Sequence, residues 1–169
     1  MSDAFEARRL SPDDWALFRE LRLAALRTDP AAFAAVHADW ADLPEAEWRA
    51  RIADNAVFAI LDGARPAGLA GWLRERSSRA AHRAMVVMMW IAPEARGRGA
   101  AVKLLDVMAE AALPEGIVQF EVSTGADNAA AQAAYLAAGF SRIGLLPRAL
   151  MGADGVPSDE VLLVRALDG

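Results

Sequence analysis

Hydrophobic positions follow a helical period in the first third of the chain, after one short strand. The strand is predicted over Ala4–Arg9, and Ser11 and Pro12 then mark the start of a helix that runs to about Arg27. A further helical segment is predicted over Leu43–Ala53, where a proline and acidic residues again precede the apolar positions. This part of the sequence is therefore expected to be helical.

The period changes to that of β-strands after residue 55. Two apolar stretches, Ala56–Leu61 and Ala67–Arg74, flank the turn signal Asp62-Gly63 and are predicted to pair as a hairpin. Met85–Ile91 is apolar almost throughout, which is typical of a central strand covered on both faces. Helices are predicted after residues 99 and 128, and strands over 117–123, from 140 and over 159–167. This order predicts one α/β domain over residues 1–169.

Composition and charge exclude several functions. The net charge of -5 argues against a dedicated nucleic-acid binder, which needs a basic face. The chain has no cysteine and only two histidines, so thiolate catalysis is excluded and we expect no metal site. The sequence "MSDAFEARRL" has no apolar signal core, and the longest apolar run, over 84–92, is too short to cross a bilayer. We expect a cytoplasmic protein that does not bind membranes.

A glycine-rich loop, "PEARGRGAAVKLL", joins an apolar strand to a helix, where free backbone N–H groups favour an anion. A phosphate-binding loop of the Walker A type is excluded, because Gly99 is followed by alanines. A dinucleotide fingerprint is weak, because Val102 stands where a third small residue is needed. The loop does match Arg/Gln-x-x-Gly-x-Gly/Ala over residues 96–101. A plain solvated helix start is the alternative.

A second motif, "NAAAQAAYLAAGF", follows one strand later. Its residues match the pattern Asn-x-x-Ala-x-x-x-Tyr-x-x-x-Gly-Phe at Asn128, Ala131, Tyr135, Gly139 and Phe140. With both motifs in this order, the sequence resembles the GNAT superfamily of acyl-CoA N-acyltransferases. The resemblance extends from about residue 56 to 167 and more loosely into the helical N-terminal part.

The resemblance implies a mixed central sheet with splayed middle strands, flanked by helices, and acetyl-CoA as co-substrate. The pantetheine arm is then expected between the splayed strands, where backbone groups of Trp90 and Ile91 would pair with it. Asn128 would contact the arm or, equally, serve as an ordinary helix N-cap. The pyrophosphate is expected on the backbone amides of Arg96, Gly97, Arg98, Gly99, Ala100 and Ala101.

The resemblance also implies two catalytic residues. Tyr135, the only tyrosine, lies where the superfamily places the group that protonates or hydrogen-bonds the leaving sulfur; packing on an alanine-rich helix is the alternative. Glu121 in "VQFEVST" resembles the base of some protein N-terminal acetyltransferases, although the following loop is longer here. A structural role for Glu121, or deprotonation through water, is the alternative.

We therefore predict an N-acetyltransferase that moves an acetyl group from acetyl-CoA directly to a primary amine. A small-molecule amine is favoured as acceptor, because the helices of the N-terminal third should narrow the acceptor cleft. The alternatives are a protein N-terminal or lysine acetyltransferase and a catalytically silent acyl-CoA-binding sensor. A homodimer is left open.

Overall fold

The structure, a computed structural model, describes residues 5–169 as one mixed β-sheet with helices on both faces. In chain order the strands are β1 (Phe5–Arg9), β2 (Ala56–Asp62), β3 (Arg65–Arg74), β4 (Arg83–Ile91), β5 (Gln119–Gly125), β6 (Ser141–Met151) and β7 (Pro157–Ala166). The helices are α1 (Trp15–Thr28), α2 (Ala38–Ala41), α3 (Glu45–Asp54), α4 (Ala100–Ala112) and α5 (Ala129–Ala137). The seven strands lie in the order β1-β2-β3-β4-β5-β7-β6, which confirms the predicted α/β fold class.

Two hydrophobic cores lie on opposite faces of the sheet, as the alternation along β2 shows. Phe58 and Ile60 join a core with α4 and α5, whereas Val57 and Ala59 join a core with α1 and α3. Successive side chains of a strand point to opposite faces, so α1 and α4 lie on different sides of the sheet. The first core reaches from β2 to β7, and the second includes no buried residue of β5, β6 or β7 among those described.

The sheet splits between β4 and β5. Parallel pairing joins the two strands only from Arg83 opposite Gln119 to Met85 opposite Glu121. Beyond that point a bulge in β4, with Met88 at a φ of 57°, bends the strand away while it stays paired with β3. The backbone groups that β4 and β5 would otherwise exchange are thereby left for another partner.

The expectation that β4 is covered on both faces is wrong in its middle. Met85 is 38% exposed and residues 87–89 are half-buried, because the split leaves this stretch facing a cleft. An apolar run alone does not distinguish a covered strand from one that lines an apolar cavity.

Most other predicted elements are present with shifted ends. Ala4, the first residue of the first predicted strand, lies outside the described residues. The helix expected from Ser11 begins with a single 3-10 turn, and its α-helical part continues to Thr28. β5 begins at Gln119 rather than at residue 117, because the N–H of Ile117 bonds to the carbonyl of Ala112 at the end of the preceding helix. No helix among residues 5–169 is long and apolar enough to cross a membrane.

Candidate active site

A cavity of about 950 Å³ lies in the split between β4 and β5. The apolar stretch of β4 lines one side of the cavity, and residues 122–124 of β5 line another. Residues 95–97 and 99–102 line it on the side of α4, and residues 32–35 line it on the side of α1. Because α1 and α4 lie on opposite faces, the cavity passes through the sheet and has two chemically different ends.

The glycine loop forms an anion site at the α4 end. Gly97 and Gly99 have φ angles of 70° and 85°, a left-handed conformation that glycine adopts without strain. The N–H groups of residues 97–99 donate no hydrogen bond to any of residues 5–169. The first N–H groups of α4 have no partner within the helix either, and the helix dipole adds positive potential there. This arrangement suits a phosphate or pyrophosphate.

The side chains of both arginines in the loop are already paired with carboxylates, and only Arg96 lines the cavity. Arg96 donates from Nη2 to Asp29 Oδ2 at 2.6 Å and from Nε to the carbonyl of Ile91 at 2.8 Å. Arg98 is paired with Asp62 at 2.6 Å and lies over the Phe5 ring, so its side chain is not part of the cavity wall. The contribution expected from this loop therefore comes from its backbone, with at most partial help from the guanidinium of Arg96.

Trp90 and Ile91 lie at the end of β4, and both line the cavity. The Trp90 indole donates to Asp29 Oδ2 at 2.7 Å, so one carboxylate oxygen joins β4, the loop through Arg96 and the end of α1. Asp29 is separated from both partners by more than sixty positions in the sequence. Sequence analysis missed this role of Asp29, because its partners are distant in the sequence.

Tyr135 lines the cavity from α5 and is 6% exposed. Its ring packs edge-on against Phe140, with centroids 5.4 Å apart. Its hydroxyl forms no hydrogen bond with any of residues 5–169, so it is available to a group in the cavity. Burial raises the pKa of Tyr135, which keeps the hydroxyl protonated at neutral pH.

Asn128 serves as the N-cap of α5 and also lines the cavity. Its side-chain oxygen accepts from the N–H of Ala131 at 3.1 Å. Its amide nitrogen bonds to none of the described residues. The capping role is therefore present, and contact with a bound arm stays a prediction.

Glu121 lies at the closed end of the split and is not part of the cavity wall. Its carboxylate is paired with Arg83 and accepts from Gln119 Nε2 at 3.2 Å. These bonds account for a carboxylate that is only 22% exposed in the middle of a sheet. They are the structural network considered as the alternative, and the role of Glu121 as a base stays a prediction.

Besides Asp29, two more charged residues in the cavity wall were missed by sequence analysis. Arg22 comes from α1, and Glu160 comes from β7, where its neighbour Val161 points into the opposite core. A signal for Arg22 was available, since it stands one helical turn after Phe18 and one before Leu26 on the buried face. Glu160 carried none, because its position beside β5 depends on the crossed order of β6 and β7.

Some aromatic residues of the N-terminal third line the cavity, and others belong to the hydrophobic core on the α1 face. Phe33 lines the cavity, whereas Trp48 is fully buried and donates from its indole to the carbonyl of Leu43 at 3.1 Å. Trp40 packs against both Phe18 and Trp48, which also contact each other. Among residues 5–169 no group of His, Cys, Asp or Glu is arranged to hold a metal ion.

Comparison with known proteins identifies the family. The model of the Acetyltransferase (GNAT) family matches residues 15–140. An acetyltransferase of the GNAT family from Streptococcus pneumoniae is 20% identical, with a TM-score of 0.82 over 96% of this chain and 99% of that one. A ribosomal-protein-alanine N-acetyltransferase from Brucella melitensis is 17% identical, with a TM-score of 0.79 over 95% and 99% of the two chains.

The structure of yncA from Salmonella typhimurium, determined with its cofactor acetyl-CoA, is 20% identical. Its TM-score is 0.77, over 98% of this chain and 95% of that one. No curated protein matches the sequence significantly. Since the family model spans well over half of the sequence, the chain belongs to the GNAT family and is an acetyl-CoA-dependent N-acetyltransferase.

Proposed function

We propose that this protein transfers the acetyl group directly from acetyl-CoA to the primary amine of a small molecule. The observation that carries the proposal is the cavity through the sheet. It has unpaired backbone N–H groups at one end, an unpaired tyrosine hydroxyl in its wall, and Arg22 and Phe33 at the other end.

The α4 end suits the coenzyme. The free N–H groups of residues 97–99 and of the first turn of α4 would hold the pyrophosphate, and the unpaired edge of β4 would hold the amide groups of the arm. When bound, acetyl-CoA supplies a thioester whose carbonyl carbon is open to attack. The carbonyl of Ile91 accepts one hydrogen bond from Arg96, which leaves its second lone pair for the arm.

Tyr135 is suited to protonate the departing sulfur. In direct transfer the amine nitrogen forms a bond to the carbonyl carbon while the carbon–sulfur bond breaks. The amine gives up one proton to a base, and the thiolate takes one proton from Tyr135. A hydroxyl with a raised pKa and no protein partner carries that proton at neutral pH.

The base has two carboxylate candidates. Glu160 lines the cavity, and its carboxylate forms no hydrogen bond or ion pair with any of residues 5–169. Glu121 is held by Arg83 outside the cavity wall, so reaching an amine would require a water chain. The geometry therefore favours Glu160, and the two glutamine variants described in the Discussion distinguish the candidates.

A small acceptor is supported by the segment that follows α1. Asp29 and residues 32–35 of this segment line the α1 end of the cavity, and Phe33 contributes an aromatic ring there. An extended peptide needs an open groove, whereas a single amine can be enclosed on several sides.

The test is a thiol-release assay with a panel of small amines, compared with peptides that present a free N-terminus or a lysine. We expect turnover with small amines and little with peptides. Acetyl-CoA binding without thiol release or acetylated product in any reaction would overturn the proposal in favour of a silent acyl-CoA-binding domain. Turnover confined to peptides would overturn the acceptor class alone.

A further inference from the structure

Arg22 is the one buried charged residue among those described, with 4% of its surface exposed. It lies in α1 between the buried residues Leu21 and Leu23. It lines the α1 end of the cavity, where we propose that the acceptor binds. Its Nε and Nη1 atoms are buried and donate to no acceptor. An arginine that gives up hydration without gaining hydrogen bonds is destabilising, so this side chain needs a reason.

The surroundings of Arg22 are aromatic and cationic rather than acidic. Its guanidinium lies 5.1 Å from the Phe33 ring centroid and 4.5 Å from that of Trp40. Arg51 approaches the same Trp40 ring at 4.2 Å. Burial, together with the nearby charge of Arg51, lowers the pKa of Arg22 to about 10. The aromatic faces offset part of the cost, and the arrangement leaves room for one anionic partner.

That partner is not the coenzyme pyrophosphate. The anion site of the glycine loop lies at the start of α4, whose core includes Phe58, whereas α1 packs with Val57 on the other face of the sheet. Arg22 therefore meets the part of a ligand that enters from the acceptor face. Glu160 lines this side of the cavity from β7 and carries the opposite charge without a protein partner.

We propose that Arg22 binds an anionic group of the acceptor, and that the acceptor is a small amino-acid-like zwitterion whose amine lies toward Glu160. The planar guanidinium suits a carboxylate or phosphonate, which can accept two parallel hydrogen bonds. This inference rests on the proposed function, because it assigns the substrate class of the same site.

The test compares acceptors that differ in the charge of one group. Amino acids and their carboxamides have nearly the same shape, but the amine of the amide loses its proton more easily. Their kcat/KM ratio, corrected for the fraction of neutral amine, therefore measures recognition of the carboxylate. We expect the wild-type enzyme to favour the acid at least tenfold, and up to about a hundredfold, as for a lost hydrogen bond to a buried charge. Equal use of acids and amides by the wild-type enzyme would overturn the proposal.

Arg22→Met keeps an unbranched apolar side chain about as long as the aliphatic part of arginine and removes the guanidinium charge. We expect the preference for acids to fall to near one, with an unchanged KM for acetyl-CoA and a thermal midpoint equal to or above that of the wild type. Arg22→Lys should restore part of the preference. Arg27→Met is the matched control, since it removes an exposed arginine from the same helix. A preserved preference in Arg22→Met would refute the assignment. So would a large loss of stability without a change in preference, which would indicate a purely structural arginine.

Failure of the proposed function gives a different result. If no amine is acetylated although acetyl-CoA binds, direct transfer is wrong, and the anion site is then judged by calorimetry. Amino acids titrated into the complex with CoA should bind to the wild type and bind at least tenfold more weakly to Arg22→Met. Absence of such binding to the wild type would overturn the anion site as well.

Discussion

Tyr135→Phe is the substitution that tests the catalytic geometry most directly. It removes one oxygen atom and keeps the edge-on contact with Phe140, whose centroid is 5.4 Å away. Because the hydroxyl has no partner among the described residues, no hydrogen bond is lost. We therefore expect the free energy of unfolding to change by no more than about 0.5 kcal/mol, and acetyl-CoA affinity to stay within a few-fold.

The expected effect on turnover is much larger. General-acid catalysis typically raises the reaction rate by about 10²–10⁴-fold. Because a thiolate leaves fairly well without a proton donor, we expect an effect at the low end of this range. A loss of about a hundredfold corresponds to about 2.7 kcal/mol of transition-state stabilisation. Turnover is measured by thiol release, and affinity by calorimetry with acetyl-CoA. Leu136→Ala is the control, since this neighbour on α5 is 55% exposed and does not line the cavity.

The same residue offers a spectroscopic check, since it is the only tyrosine in the chain. Burial raises the pKa of Tyr135, so the absorbance of tyrosinate should appear only above the ordinary value of about 10. Tyr135 ionises at a lower pH in the unfolded chain than in the folded protein. The stability that this residue contributes is therefore present below about pH 10 and falls as the pH rises further. Full turnover of Tyr135→Phe with intact coenzyme binding would refute the role as proton donor, and a midpoint at the ordinary value would refute its burial.

The remaining predictions concern the loop, the base and the Asp29 junction. Gly99→Asp should weaken acetyl-CoA binding at least tenfold in calorimetry, because the added carboxylate repels the pyrophosphate. Gly99→Asn is the control, since it has the same shape without the charge, and equal affinity of the two variants would contradict the prediction. Glu160→Gln should lower turnover at least tenfold, whereas Glu121→Gln should mainly lower the thermal midpoint, and the reverse result would make Glu121 the base. Asp29→Ala should lower the free energy of unfolding by about 1–3 kcal/mol, because it leaves the buried Trp90 indole without an acceptor. The exposed Asp39→Ala is its control, and equal denaturation midpoints for the two would contradict the prediction.

The parts of the fold that could be predicted from sequence depend on local rules. The buried positions of α4 follow helical spacing, and Leu104, Leu105 and Met108 are all fully buried. The glycine loop and the capping asparagine of α5 also lie where their sequence patterns place them, because helix starts have strong residue preferences.

The remaining features depend on pairings that are distant in sequence. The bulge at Met88 lies in an apolar run that carries no local signal for it. The bonds from Asp29 to Trp90 and Arg96 join segments that approach only in the folded sheet. A structural role for Glu121 was an alternative from sequence, but its partner Arg83 could not be identified before the register of β4 and β5 was known.

The short ladder between β4 and β5 has a mechanical consequence. On the α4 face one continuous core ties the two halves of the sheet together, but on the α1 face the buried core belongs to the β1–β4 half alone among the described residues. The two halves of the sheet, β1–β4 and β5–β7, are therefore joined by backbone pairing only at residues 83–85 and 119–121. Side-chain packing across the split is continuous on the α4 face only. The proposed acceptor, in contact with Arg22 from α1 and with Glu160 from β7, would link the two halves of the sheet on the face where the described core does not.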